Sequence, residues 1–209
     1  MEAYKRSIRV LKVPIILILV VIIGSACNKT LTPKELISYV NNPDNGLVHE
    51  KEINGIKLKL AYKPHQLLAF QEIMAIDSLT KVKEREITKR YNQQHYFVLS
   101  ISQGGKEILS SAADRQRFSQ LVSQFAFGMG QKITLTTAEN DTLTLLDFHY
   151  PRMYGMAPST DILFVFEKEK QKTKSLIFYI DEFGLRTGNT RFKIHTQDIH
   201  KINNTNIKN

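Results

Sequence analysis

Apolar and polar positions along this chain change their period several times, and each change predicts an element. Residues 13–23 form an uncharged apolar run of 11. After residue 30 no such run recurs, and short patterned segments follow. Thr32-Pro33-Lys34-Glu35 reads as a helix start, with Thr32 as N-cap, Pro33 at the first helical position and Glu35 closing a capping box. Leu36, Ile37 and Val40 give that helix an apolar stripe, and Asn41–Gly46 ends it. Asn54-Gly55 joins two extended runs, Leu47–Ile53 and Ile56–Tyr62, which predicts a tight hairpin. In the second run Ile56, Leu58, Leu60 and Tyr62 alternate with Lys57, Lys59 and Ala61, the pattern of a half-buried strand. His65–Asn92 lacks Gly and Pro and reads as helix, with an amphipathic first half, a charged second half and a break near Asp77-Ser78.

Beyond residue 95 the pattern is mainly that of strands. Tyr96–Ser102 and Lys106–Ser110 flank Gly104-Gly105. A helix fits Asp114–Phe127, where Phe118, Leu121, Val122 and Phe125 recur at helical spacing. Strands are then expected at Lys132–Thr137, Thr142–Tyr150, Asp161–Glu167, Ser175–Asp181 and Arg191–His195. The predicted class is α+β, mostly β: an antiparallel sheet or β-sandwich of about eight to nine short strands, with two or three helices on connections. The expected organisation is a signal segment at 1–26, a tether at 27–31, one globular domain at 32–202 and a polar tail at 203–209 that frays.

The N-terminus carries the most specific signal. A positive region, residues 1–12, precedes the apolar run; Gly24, Ser25 and Ala26 follow it, and then comes Cys27, the only cysteine of the 209 residues. The run is shorter than the roughly 20 residues a spanning helix needs. Three readings fit: a lipoprotein signal, an ordinary signal peptide leaving a free thiol, and an uncleaved anchor. The segment resembles a bacterial lipoprotein precursor. That resemblance implies cleavage before Cys27 and diacylation of its thiol, although Gly24 stands where the family has a branched apolar residue. The β-rich, Asn- and Lys-rich texture is similar to uncharacterised envelope lipoproteins of Bacteroidota. Asn28-Lys29 lacks the acidic cluster of surface-export signals in that group, so the resemblance implies the outer membrane, facing the periplasm.

The formal charge is +9. Four cations and one anion of the leader account for +3 of it, leaving about +6 on residues 27–209. The densest basic stretches, Lys81–Arg90 and Lys168–Lys174, both contain glutamate and read as a solvated helix face and a charged turn. Nucleic acid is not an expected partner; anionic lipid head groups suit an exported basic chain better. With one cysteine there is no disulfide framework and no Cys-based zinc site, and no cofactor is expected.

Catalytic motifs fail on inspection. Ser78-x-x-Lys81 matches S-x-x-K, but no S-D-N or K-T-G partner accompanies it. His195, Asp198 and His200 lie close in sequence, yet a continuing strand would turn the two histidines to opposite faces. The loop 151–160 is unusual: two prolines, a glycine, Arg152, Met153, Tyr154 and Met156 between apolar strands. Arg152, Met153, Tyr154 and Met156 are the candidate partner-binding residues, the alternative being that they cap the core. The turn 181–190 places Arg186 beside that loop or forms a wide hairpin. The reading is a lipid-anchored, non-catalytic envelope protein acting as a binding module or subunit of a membrane-associated assembly. An envelope hydrolase with an unrecognised active site is the alternative.

Overall fold

A computed structural model describes residues 30–153 and 156–207. The leader, Cys27, Tyr154 and Gly155 lie outside the described residues. The elements in order are β1 (Thr30–Leu31), α1 (Pro33–Asn41), β2 (Val48–Ile53), β3 (Ile56–Tyr62), α2 (His65–Met74), α3 (Lys81–Tyr91), β4 (Gln94–Gln103), β5 (Lys106–Glu107), α4 (Arg115–Ser123), β6 (Ile133–Thr137), β7 (Thr142–Leu143), β8 (Leu145–His149), β9 (Thr160–Glu167), β10 (Ser175–Ile180), β11 (Thr190–His195), α5 (Thr196–Asn203) and β12 (Asn206–Ile207). The fold is α+β with antiparallel sheets as its body.

Local chemistry explains the first elements. Thr32 and Glu35 form the reciprocal capping box at the start of α1. The β2–β3 hairpin turns on Asn54 and Gly55 at φ 53° and 74°, the positive pair that a two-residue turn of matching twist requires. β3 then alternates as its sequence says, with Ile56, Leu58, Leu60 and Tyr62 buried.

The larger sheet has the order β2-β3-β4-β9-β8, with β5 folded back on β4. Its register sets Tyr62 opposite Phe97, and Phe97 opposite Phe164. The smaller sheet has the order β11-β10-β6-β7 and sets Phe178 between Leu135 and Phe192. The two sheets meet through Phe178, whose ring lies 5.6 Å from Phe97, 5.7 Å from Phe164 and 6.0 Å from Phe166. All four rings are fully buried. Each contributes about 1.5–3 kcal/mol by burial, and each edge-on pair adds about 0.5–1.5 kcal/mol.

Several elements differ from the sequence expectation. Five α-helices are present among the described residues, where two or three were expected. The long helical stretch is two helices separated by six residues, with Ser78 at φ 62° in the break. Ile108–Ser111 is a 3₁₀ turn in place of a strand, its first N–H donating to Thr160 Oγ1 at 3.3 Å. The helix from Arg115 ends in a π turn over Gln124–Gly128, which seats Phe125 in the core. The stretch 142–150 divides at Thr144, β7 joining the smaller sheet and β8 the larger. The tail expected to fray from Asn203 instead completes α5 and pairs Asn206 and Ile207 in parallel with Thr30 and Leu31. No described helix is long and apolar enough to cross a membrane.

Candidate functional site

Because strand side chains alternate, the face of the larger sheet turned away from the core carries the residues between the buried ones. Lys59, Ser100 and Asp161 form one cross-strand row, and Ala61, Val98 and Leu163 the next. α1 and α2 stand along this face with Ile37, Val40 and Leu67, and Pro158 and Ser159 close another side. The result is an open trough of about 610 Å³ with a mixed floor: an apolar strip at Ala61 and Val98 beside a polar strip at Lys59, Ser100 and Asp161. Ser159 Oγ donates to Asp161 Oδ1 at 2.7 Å and fixes that carboxylate. Lys63 also lines the trough; burial pulls its ammonium below the ordinary lysine value, and the Asp161 carboxylate opposes the shift. Glu50 and Lys57 pair at 2.6 Å on its rim, both about half exposed, and so contribute little to stability.

The loop 151–160 shares this rim through Pro158 and Ser159. Arg152 is exposed, Met153 is 42% exposed and Met156 80% exposed. Tyr154 lies outside the described residues. The core beneath is closed instead by Phe148, stacked on Phe164 at 6.0 Å, and by Tyr150, 5.5 Å from Phe125. Arg152, Met153 and Met156 therefore stand on the surface, in the loop whose other end, Pro158 and Ser159, lines the trough.

Arg186 sits elsewhere. Its turn is organised by the Glu182 carboxylate, which accepts N–H bonds from Gly184, Arg186 and Gly188 at 2.6, 3.0 and 2.5 Å. Burial pushes Glu182 up, but these donors, with the Leu185 N–H, outweigh it and hold the carboxyl below its usual value. The Arg186 carbonyl accepts from Asn54 Nδ2 at 2.7 Å, so this turn meets the β2–β3 turn. Ser78 and Lys81 are both exposed at the α2–α3 break. His195 occupies the N-cap position of α5 without a side-chain bond to the helix, Asp198 pairs with Lys201 at 3.7 Å, and no cluster among the described residues is suited to a metal.

A buried polar cluster lies where α5 closes one end of the sandwich. Asn203 Nδ2 donates to the Tyr62 hydroxyl at 3.0 Å, and Asn203 Oδ1 lies 3.3 Å from His65 Nδ1. Gln66 Nε2 donates to the carbonyls of Ile202, Asn203 and Thr205, satisfying the end of the helix. His95 Nε2 is 2.6 Å from Glu169 Oε2, while its Nδ1 has no partner among the described residues. Burial raises Glu169, and the His95 contact, together with a backbone N–H donor and the nearby His200, outweighs it, leaving the carboxyl below its usual value. Burial, aided by the Lys168 charge, pushes His65 down to about 4. His95 is 2% exposed and ringed by Tyr62 and Phe97 at 5.9 and 6.3 Å, so the His95–Glu169 pair holds structure rather than meeting a substrate.

No family model and no curated protein matches the chain. Among solved structures, a crystal structure of a DUF4426 family protein from Pseudomonas aeruginosa is similar at 9% identity and a TM-score of 0.38, covering 71% of this chain and 94% of that one. A likeness of that size carries no argument about function.

The His65 geometry has a measurable consequence. A histidine held neutral takes up its proton only on unfolding, so the unfolded chain binds more protons between pH 6.5 and about 4. Stability is full above pH 6.5 and falls as pH drops through that window, His65 supplying at most about 3 kcal/mol of the loss. The urea midpoint should fall between pH 7 and pH 4.5, and His65→Gln should flatten that dependence. A midpoint independent of pH in the wild type would contradict the burial of a neutral His65.

Proposed function

We propose that this chain is a lipid-anchored, non-catalytic protein of the cell envelope, held at the outer membrane facing the periplasm, and that it works as a binding module or subunit of a membrane-associated assembly. One observation carries the reading: the chain's single cysteine follows the basic and apolar leader directly and lies three residues before Thr30, where β1 begins. A lipidated thiol there would leave almost no slack between bilayer and fold. Each acyl methylene contributes about 0.8 kcal/mol, so two chains hold a protein stably where one does not.

The partner face in this reading is the trough on the larger sheet together with the 151–160 loop. Exposed methionines beside an arginine adapt to irregular apolar surfaces, and the trough's split floor suits a ligand with one apolar and one polar edge. The apolar walls Ile37 and Leu67 belong to helices that bury Leu36, Val40 and Ala69, and α1 is also held by its capping box, which lowers the ordering cost of docking.

Two variants test the two halves of the proposal in cells carrying a C-terminally tagged chain. Cys27→Ser should shift the protein from the detergent phase to the aqueous phase, or leave it uncleaved in the inner membrane. A variant processed and membrane-held like the wild type would remove the anchor. Arg152→Ala with Met156→Ala should abolish recovery of the partner from native membranes. Thermal stability should stay within about 0.5 kcal/mol, as expected for exposed positions. Unchanged recovery would remove the loop from the binding face.

A further inference from the structure

A second trough, of about 960 Å³, opens between the β9–β10 connection and α5. Its lining carries Lys170, Lys172, Lys174 and Lys201, with Glu169 as its only carboxylate. That carboxylate is already engaged by His95 at 2.6 Å. Lys201 has Asp198 at 3.7 Å, and Lys174 acts on Glu139, but no ion pair among the described residues takes Lys170 or Lys172. Two cations elsewhere on the surface do have carboxylate partners, Lys57 with Glu50 and Arg90 with Glu72. The basic turn is also fixed in place. Thr196 Oγ1 donates to the Thr173 carbonyl at 2.6 Å, and Thr196 N–H donates to the Lys174 carbonyl at 3.1 Å, tying the turn to the first residue of α5.

The position of this trough relative to the chain's start gives it a meaning that its composition alone lacks. Asn204 lines it, and Asn206, two residues on, pairs with Thr30. Two residues of chain and one strand spacing put the trough's edge within about 12 Å of Thr30. From Thr30 back to Cys27 is three residues, at most about 11 Å of extended chain. A lipid-bearing Cys27 would thus hold the four-lysine surface within reach of the phosphate head groups around the anchor.

We infer that this surface, Lys170, Lys172, Lys174 and Lys201, is a second membrane contact that docks the folded domain on anionic phospholipid head groups. The inference rests on the anchored reading for its geometry. An acyl anchor alone leaves the domain free to rotate about its tether; a basic patch beside it selects one orientation and adds the second signal that stable attachment uses. The attraction is electrostatic, acts within about 8 Å at physiological ionic strength, and weakens as salt rises.

The test uses mature protein purified from native membranes and mixed with vesicles of phosphatidylcholine, alone or with phosphatidylglycerol. Flotation reports attachment, and acetylation of each lysine, read by mass spectrometry, reports contact. The expected result is flotation on both vesicle types, with Lys170, Lys172, Lys174 and Lys201 acetylated severalfold less on the anionic ones. Lys83, Lys89 and Lys106 should label equally on both, and high salt should restore labelling at the four sites. Replacing the four lysines with glutamine should leave flotation on both vesicle types intact. Equal labelling of the four lysines on the two vesicle types would overturn the surface and leave the anchor standing. Flotation on anionic vesicles alone would support the surface and count against the anchor. Flotation on neither would overturn both.

Discussion

The contact on which the rest of the molecule depends is the ring of Phe178 set against Phe97, Phe164 and Phe166. It joins the two sheets with one residue from the smaller sheet and three from the larger. Edge-on packing against Phe164 and Phe166 and tilted packing against Phe97 fix both the spacing of the sheets and their relative slide, because an aromatic ring cannot be accommodated equally well one residue further along. Once that register is set, period-two alternation sends Lys59, Ser100 and Asp161 to the opposite face. The outer trough is thus a consequence of the core.

The second constraint is the seam at the end of the chain. Asn203, the last residue of α5, reaches Tyr62 and His65, and Gln66 holds the three carbonyls around it. Removing one partner from such a cluster strands buried polar atoms, which costs more than the bond itself returns. The seam does two things at once. It closes the sandwich, and through β12 it brings the C-terminal helix beside β1. Both ends of the described body and the four-lysine surface are therefore gathered on one side, the side from which the proposed anchor at Cys27 would act.

Much of the local structure was legible in the residues. The capping box, the Asn54-Gly55 hairpin and the alternation of β3 each depend on neighbours a few positions apart, and such patterns are written in the chain directly. What depended on distant pairing was not. Nothing near Thr144 says that Leu143 and Leu145 belong to different sheets. α5 was missed because Gln197, Asp198, His200 and Lys201 dilute its stripe, although Thr196, Ile199 and Ile202 recur at a spacing of three and are all buried. The trough on the larger sheet needs three strands in register, and the basic trough needs a turn and a helix brought together by Thr196. The Lys168–Lys174 stretch was visible as a charge run, but only the fold sets it against α5.

The central claim is that this fold works from a bilayer, held by Cys27. The measurement that bears on it most directly is the mass of the N-terminal peptide of the mature protein isolated from native membranes. The account predicts a peptide that begins at Cys27 and carries a diacylglyceryl group on its sulfur. A peptide beginning at Cys27 with a free thiol, or one that retains residues from the apolar run, would contradict it.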